Sequence, residues 1–380
     1  MDQITENRTW AEISRSALRH NLNVAKELTG GTKIMCVIKG NAHGHGAVEC
    51  GRTLEQAGAD AFAVASLEEA VELREAGIRI PILVLGWTDP RQASVFCDYD
   101  ILQSGLNLEY VRELSDQMVL QQDDRKIGIH VKLDTGMTRT GVDAQGDPAD
   151  AASAVETMMT LPGIQVTGLF THFAAADMPE KDDYTAMQLK RYKAVLAELE
   201  ERGVDTSRLL KHTGNSASIM YHPETIFDMM REGVMMYGFY PNGIYDPDGP
   251  LEPVLSLNCR IAQVKEIPAG TSVSYGCTFT SDRPMKIAAV TAGYADAYPR
   301  SLSNKGAWAM INGQKCPQIG RICMDMCMFD VTGKEVKAGD RVILYGRGGM
   351  HLDEITALIG TINCEPTCLI TNRVKKIYVD

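Results

Sequence analysis

The chain has 380 residues, a formal net charge of -11 and a pI near 5.3. This acidic balance, without any basic run, argues against nucleic-acid binding, because phosphates are neutralised by clustered lysine and arginine. The composition, 44% hydrophobic and 23% charged, is typical of folded proteins and excludes disordered or collagen-like chains. No apolar run reaches the roughly 18 residues of a membrane helix, and no signal-peptide pattern occurs. We therefore expect a soluble, cytoplasmic protein without membrane contact.

Ten cysteines in 380 residues is a density far below that of small secreted domains that disulfides hold together. We therefore expect reduced thiols. Two pairs share a spacing that is compatible with zinc binding, Cys323 with Cys327 and Cys364 with Cys368. Neither pair has the nearby histidine or the glycine turn of a zinc knuckle. We therefore predict no metal site.

Short apolar runs alternate with helical patterns in the first two thirds of the chain. A helix with clear end signals separates the second and third runs: Ser66 is the predicted cap, Glu69 completes a capping box and Gly77 ends the helix. The alternation predicts a (β/α)8 barrel over residues 1–250. The eight predicted strands are 34–38, 61–65, 82–85, 101–102, 129–133, 164–171, 209–212 and 234–237.

After residue 250 the helical periodicity disappears, and short β-like runs with turn signals replace it. These runs are 255–261, 287–290, 308–311 and 341–345, with turns at 268–270 and at Asn312-Gly313. The pattern predicts a β domain over residues 251–380, on which about the first 12 residues of the chain could also pack. The stretch 246–253 is the best candidate linker, and its two aspartates indicate a turn rather than a calcium loop.

Polar residues follow the predicted strands, at the end of a barrel where catalytic groups lie. Lys39 ends the first run and opens the loop KGNAHGHG; a partly desolvated amine there suits Schiff-base chemistry with a carbonyl cofactor. The position of Lys39 alone is equally compatible with an ordinary surface lysine that extends its charged amine into water. No nucleotide-binding glycine motif occurs, which removes the usual indication of NAD or NTP. Other strand ends carry Lys132, Arg139, His172, His212, Ser216, Arg231 and Gly233.

Eight motifs in order resemble the alanine racemase family, bacterial enzymes of fold type III that use pyridoxal 5'-phosphate (PLP). They cover nearly the whole chain, and each alone would be modest support. The motifs are VIKGNAHGHG, KLDTGMTRTG, THFA, HTGNSAS, REGVMMYG, VSYGCTF, AGYADAYPR and GRICMDM.

The resemblance implies a role for each candidate residue. Lys39 would hold PLP covalently, Tyr275 would be the second acid–base group, and Lys132 carries a carbamate in some relatives. The implied assembly is a head-to-tail homodimer with shared active sites. The implied cofactor-binding residues are Lys39, His43, His172, His212, Ser216, Arg231, Gly233, Val234 and Tyr294. The implied substrate-binding residues are Arg139, Met324, Asp325, Cys364 and Asn363.

The implied reaction is the interconversion of L- and D-alanine, which supplies D-amino acids for peptidoglycan precursors. Two departures concern tyrosines that the family commonly carries: His43 replaces one at the phosphate, and Cys364 replaces one that narrows the substrate pocket. The second change predicts activity on serine as well, with Asn363 as a better hydrogen-bond donor to its hydroxyl than Cys364.

Alternative functions follow from the same motifs. One is a dedicated serine racemase of a glycopeptide (vancomycin) resistance system, in which case the chain would be the cytoplasmic domain of a longer membrane protein. Another is a non-catalytic PLP-binding protein, which would need neither the β domain nor Tyr275. The chain lacks the late Cys-Asp motif of basic-amino-acid decarboxylases of the same barrel type, which argues against that function. A pure scaffold protein would not need the polar residues at the strand ends.

Overall fold

The computed structural model describes residues 8–380, in two compact units. The barrel unit comprises Leu22–Ala42 and Ala47–Met236. The β unit comprises the described part of residues 1–21 together with His43–Gly46 and Tyr237–Asp380. Residues 1–7, part of the segment predicted to pack on the β domain, lie outside the described residues. A division of the chain between residues 250 and 251 stays a prediction.

Eight parallel strands form the sheet of the barrel unit, and each pairs with its neighbour in space. Strands seven and eight are joined by backbone bonds from Asp228 N to Lys211 O and from Arg231 N to Gly214 O, both 3.1 Å. The predicted barrel is confirmed. Its strands are Lys33–Val37, Ala61–Val64, Ile82–Val84, Leu102–Gly105, Ile127–Asp134, Ile164–Phe170, Leu210–His212 and Met229–Glu232.

Alternate residues of these strands fill the barrel interior, because successive side chains of a strand point to opposite faces. The interior cluster includes Met35, Val37, Ala63, Leu83 and Met229. A two-residue strand, Val142–Asp143, adds to the fifth barrel strand. Helices of the first 236 residues are Arg15–Leu28, Ala47–Gln56, Leu67–Glu75, Ala93–Asp98, Leu108–Leu120, Pro148–Thr160, Asp182–Glu201 and Ser216–Tyr221. The short segment Lys39–His43 forms a left-handed turn.

Seven predicted barrel strands agree with the structure to within three residues at each end, and the eighth was wrong. The segment Val234–Tyr237 is a single 3-10 turn, and the strand is Met229–Glu232. The apolar run of the turn resembled a buried strand, whereas the strand itself ends in two charged residues that are both buried. The predicted helix after Ser66 is confirmed as Leu67–Glu75.

The β unit is built around one long strand, Leu255–Ile267, which pairs antiparallel with three others: Thr9–Ser14, Met285–Val290 and Arg341–Gly346. Thr9–Ser14 also pairs in parallel with the last strand of the chain. The predicted Asn312-Gly313 turn joins two strands with both residues at positive φ, 49° and 72°. The remaining strands are Ser272–Val273, Phe279–Thr280, Trp308–Ile311, Gln314–Ile319, Cys327–Asp330 and Lys375–Val379.

Two short helices also belong to the β unit, Leu352–Ile359 and Cys364–Cys368, so the predicted C-terminal domain is confirmed as mostly β, with two helices that the sequence pattern did not show. The first is capped by His351 with Glu354 and ends at Gly360, whose φ is 73°. It has only eight residues, too few for a helical period to stand out in the sequence.

The ten cysteines all lie within the described residues, and none forms a disulfide. In residues 8–380 no group of three or more histidine, cysteine, aspartate or glutamate side chains is arranged to hold a metal ion. Over the same range, every helix is too short or too polar to cross a membrane.

Candidate active site

Lys39 lies two residues after the end of the first barrel strand and is half-buried. The next three residues, Gly40, Asn41 and Ala42, have φ values of 62°, 54° and 54°. Side-chain-bearing residues rarely take this left-handed conformation in succession, because Cβ approaches the following carbonyl. The amide of Ala42 closes the turn by donating to Ile38 O at 2.8 Å. The chain therefore turns sharply at the lysine rather than continuing as a strand.

Arg231 lies on the last barrel strand with its guanidinium buried. Nη1 donates to Nδ1 of His212 at 2.8 Å, and Nη2 contacts Nδ1 of His172 at 3.2 Å. Because arginine only donates, both histidines accept at Nδ1 and are neutral. Burial and then the charge of Arg231 lower the pKa of both rings well below the usual value. The guanidinium also bonds to the carbonyls of Thr171, His212 and Thr213.

A second layer of the barrel interior supports this arginine. Nε2 of His212 lies 2.9 Å from Nδ1 of His130, whose pKa burial and Arg231 lower to about 4. Phe170 stacks on His212 at 4.7 Å, and the guanidinium carbon lies 5.3 Å from its ring centre. A side chain at Gly168 would meet the His130 ring at 2.6 Å. Sequence reasoning missed His130 and Phe170. His130 lies two residues before Lys132 on the same strand, and Phe170 ends its strand two residues before His172; these positions could have indicated them.

Cationic side chains are concentrated at the same end of the barrel. Burial, followed by the charges of Arg139 and Arg231, lowers the pKa of Lys132 to about 8. The pKa of His172 is lowered further by Arg231, Arg139, Lys132 and Lys39. So many cations with little opposing charge suit a ligand that carries several negative charges.

Ser216 and the segment after the last barrel strand bring a hydroxyl and backbone amides together. Oγ of Ser216 accepts from the amides of Gly233 at 2.9 Å and Met235 at 3.4 Å. Asn215 caps the short helix that Ser216 begins, by accepting from Ser218 N at 3.0 Å. Val234 starts the 3-10 turn. Because both amides donate to Oγ, the hydroxyl proton of Ser216 stays available as a donor to a small oxyanion such as phosphate.

The β unit carries the remaining predicted residues. Tyr275 begins a one-turn 3-10 helix after Ser274, whose φ is 68°, and its side chain is 69% exposed. Ser274 Oγ donates to Arg321 O at 2.6 Å, which holds this strained residue in place. Tyr275 therefore follows a backbone turn that this bond holds, and most of its side chain is exposed.

A buried aspartate joins the segments that carry Tyr294 and Asp325. Asp296 accepts two bonds of 2.8 Å from Arg373 and a backbone bond of 3.0 Å from Gly293. Arg8 adds contacts of 3.2 and 3.3 Å to the same carboxylate. Nη1 of Arg373 then reaches Asp325 at 2.8 Å.

Backbone bonds complete this arrangement. Tyr294 N donates to Cys323 O at 3.0 Å, and Ala295 N donates to Met324 O at 3.1 Å. The structure therefore brings Tyr294, Met324 and Asp325 together within the β unit. Sequence reasoning missed Asp296 and Arg373, because a buried ion pair between distant segments leaves no local pattern.

His43 and Asn363 are buried in the β unit. The His43 ring lies 4.8 Å from the ring of Tyr237. Nδ2 of Asn363 donates to Tyr240 O at 2.9 Å, which uses one of its two amide protons. The role predicted for Asn363 toward a substrate hydroxyl stays a prediction. Cys364, half-buried, begins the helix Cys364–Cys368.

Taken together, a parallel barrel with a lysine after its first strand and a separate mostly β unit define a class of two-unit barrel proteins. The chain belongs to the alanine racemase family within that class: residues 13–241 match the model "Alanine racemase, N-terminal domain" and residues 254–378 match "Alanine racemase, C-terminal domain". The resemblance seen in the motifs is thus confirmed.

Relatives extend this match over the whole chain. An alanine racemase of Desulforamulus reducens is 39% identical over 373 residues, covering 97% of this chain and 98% of the relative. One of Halothermothrix orenii is 41% identical over 375 residues, covering 97% and 96%. The solved structure of alanine racemase from Clostridium difficile 630 has a TM-score of 0.90 at 36% identity, covering 98% of this chain and 96% of that one.

Proposed function

We propose that the chain is a PLP-dependent racemase that interconverts L- and D-alanine and also accepts serine. The observation that carries the proposal is Lys39 at a barrel end where Arg231, Arg139 and Lys132 supply positive charge. The relatives named alanine racemase support the reaction. Supply of D-amino acids for peptidoglycan precursors and a cytoplasmic location are part of the proposal.

The residues present fit PLP chemically. Lys39 has the amine for covalent attachment, and Ser216, Gly233 and Val234 would hold the phosphate, with His43 and Tyr294 nearby. Arg231 would face the pyridine nitrogen; its Nε has no acceptor among the described residues, whereas Nη1 and Nη2 are both engaged. When bound, PLP supplies the delocalisation that makes an amino-acid Cα proton removable.

Arg231 determines how strongly a pyridine nitrogen can be polarised. A guanidinium donates a hydrogen bond but gives up no proton, unlike a carboxylic acid at the same place. His212 and His172 are neutral and accept hydrogen bonds from Arg231, so neither ring can supply a proton to the pyridine nitrogen through Arg231. Because Arg231 would polarise the pyridine nitrogen only moderately, we expect simple reprotonation of Cα to be favoured over competing reactions.

Racemisation requires a proton carrier on each face of the substrate carbon. We assign one face to Lys39 and the other to Tyr275. Arg139 would bind the substrate carboxylate, with Met324 and Asp325 on the substrate side. Lys39 and Tyr275 belong to different compact units, and the exposure of Tyr275 supports its use by the partner in a head-to-tail homodimer. The β unit with Tyr275 disfavours a non-catalytic PLP carrier.

Substrate choice follows from Cys364. A thiol in place of a phenol leaves room for the hydroxyl of serine. An apolar pocket rejects an added hydroxyl by about 100-fold at most, and by less when the pocket has room for it. We therefore expect comparable rates on L-alanine and L-serine. A dedicated serine racemase would instead prefer serine strongly.

The proposal is tested by following D-alanine and D-serine formation while mapping the cofactor lysine. Borohydride should attach PLP irreversibly to the peptide containing Lys39, and Lys39→Ala should lower both rates by about 10³-fold or more. Lys33→Ala, an exposed lysine at the other end of the same strand, is the matched control and should retain activity. Labelling of a different lysine, or an active Lys39→Ala protein, would contradict the assignment.

A further inference from the structure

The carboxylate of Glu69 joins the ends of two neighbouring barrel strands. Its Oε1 accepts from the amide of Gly40 at 2.6 Å and from that of Asn41 at 3.4 Å. Its Oε2 accepts from the amide of Ala65 at 2.8 Å. Glu69 is half-buried in the first turn of the helix Leu67–Glu75. One side chain therefore connects the turn after Lys39 to the end of the second strand.

This use of Glu69 differs from the one that its sequence position predicts. In a capping box, the glutamate would bond to the backbone amide of Ser66. Here only half of the box is present: Ser66 Oγ accepts from Glu69 N at 3.4 Å, and the carboxylate bonds to the amide of Ala65, one residue before the cap, and not to that of Ser66. Its other oxygen is thereby directed to the neighbouring loop.

The loop that Glu69 contacts is the left-handed turn after Lys39. Successive amides in such a turn point to the same side and form a concave site that favours an anion. The amides of Gly40 and Asn41 both point at Oε1, so the carboxylate occupies this site within the molecule. Oδ1 of Asn41 caps the next helix by accepting from Ala47 N at 2.8 Å. A conformation that is unfavourable for Asn41 and Ala42 is thus held by bonds on both sides.

We propose that Glu69 is a positioning residue: by bonding the amides of Gly40 and Asn41, it holds the left-handed turn and so sets the direction of the Lys39 amine. Its effect passes through the backbone, since the carboxylate bonds to amides and not to reacting atoms. The catalytic part of the proposal rests on the proposed function, whereas the structural part does not.

Amide hydrogen exchange tests the structural part directly. In Glu69→Ala, we expect the amides of Gly40 and Asn41 to exchange about tenfold faster or more, while the amides of the barrel strands keep their protection. Glu68→Ala is the matched control, because Glu68 is exposed, carries the same charge and lies in the same helical turn. Equal exchange of the turn in both variants would overturn the proposal. If Glu69→Ala does not fold, Glu69→Gln, which keeps one acceptor oxygen, is measured instead against Glu68→Gln.

Catalysis tests the second part. Glu69→Ala should lower kcat for alanine about ten- to a hundredfold with little change in KM, since a displaced amine affects the reacting geometry rather than substrate binding. Glu69→Gln should be intermediate, and the absorption of bound PLP should change its pH profile in Glu69→Ala only. If Glu69→Ala and Glu68→Ala match in kcat and spectrum while the wild type is active, the positioning role is wrong. An inactive wild type contradicts the proposed function alone, because the exchange result still decides whether Glu69 holds the turn.

Discussion

At the scale of single residues, burial determines which site groups carry charge. Arg231 is held by five acceptors inside the barrel, and burial lowers its pKa only to about 10, so it stays cationic. The histidines around it titrate far below neutrality because both burial and the arginine oppose a second positive charge. His172 and His212, which the resemblance implies as cofactor-binding residues, therefore accept hydrogen bonds from Arg231 in the structure.

Cys364 carries the residue-scale prediction. Cys364→Tyr adds an aromatic ring at the proposed substrate pocket, so serine turnover should fall about tenfold or more while alanine turnover falls less. The measurement is the ratio of kcat/KM for the two L-amino acids. Cys368→Tyr, at the exposed end of the same helix, is the control and should leave the ratio unchanged. Equal slowing of both substrates by Cys364→Tyr, or no serine activity in the wild type, would refute the role of this position.

At the scale of elements, the last barrel strand is the most informative. Met229–Glu232 turns Arg231 into the interior and Glu232 away from it, as alternation requires. Glu232 is fully buried, and neither carboxylate oxygen has a donor within the described residues. Its neighbour in register is Cys36, whose pKa is raised by burial and then by Glu232. The strand thus contains a carboxyl group whose burial favours the protonated form.

Glu232→Gln tests this protonated state. Burial raises the folded-state pKa of Glu232 well above its unfolded value of about 4.3. The contribution of the Glu232 carboxyl to the free energy of unfolding is complete below its pKa in the unfolded state. It is lost as pH rises toward its pKa in the folded state, at about 1.4 kcal/mol per pH unit. Glutamine needs no proton, so the variant should gain about 1 to 3 kcal/mol in unfolding free energy over the wild type between pH 5 and pH 7.5.

The measurement is denaturant unfolding at several pH values and one protein concentration. Glu113→Gln, at an exposed helical position of the same unit, provides the control and should show no such trend. A stability difference between Glu232→Gln and the wild type that does not vary with pH would show that the carboxyl is ionised in the folded protein.

At the scale of the whole molecule, the chain contributes its two proposed proton carriers from separate compact units. Lys39 is on the barrel unit, and Tyr275 is on the β unit with most of its side chain exposed. An exposed phenol in one chain has the access that a shared site would need. The proposed homodimer would then build each site from two chains.

Mixing two inactive chains tests this assembly. If each site uses Lys39 of one chain and Tyr275 of the other, a mixed dimer of Lys39→Ala and Tyr275→Phe contains one intact site and one doubly altered site. Random exchange should therefore restore about one quarter of the wild-type rate. Exchange is verified by mass spectrometry of the intact dimer, and activity is measured before and after mixing. Complete exchange without recovery would rule out a shared site.

Much of the fold was predictable from local pattern. Seven barrel strands, the helix after Ser66 and the Asn312-Gly313 turn follow from alternation, end signals and turn chemistry, all of which involve residues close in the chain. The eighth strand could not be predicted in this way, because the burial of Arg231 and Glu232 depends on neighbouring strands and helices. The helix Leu352–Ile359 escaped because of its length.

The site divides in the same way. The sequence by itself determined the family, the barrel, the lysine at its first strand and the residue types that suit PLP, because these are written in contiguous motifs. Only the tertiary structure decided that His130 supports His212, that Arg373 joins Asp296 to Asp325, and that Glu69 bonds the turn after Lys39 rather than its own cap. Each of these contacts joins residues that lie from 29 to 82 positions apart in the chain. Hydrogen bonds and ion pairs form wherever folding brings a donor to an acceptor. No local sequence pattern encodes which residues that are distant in the chain become close in space.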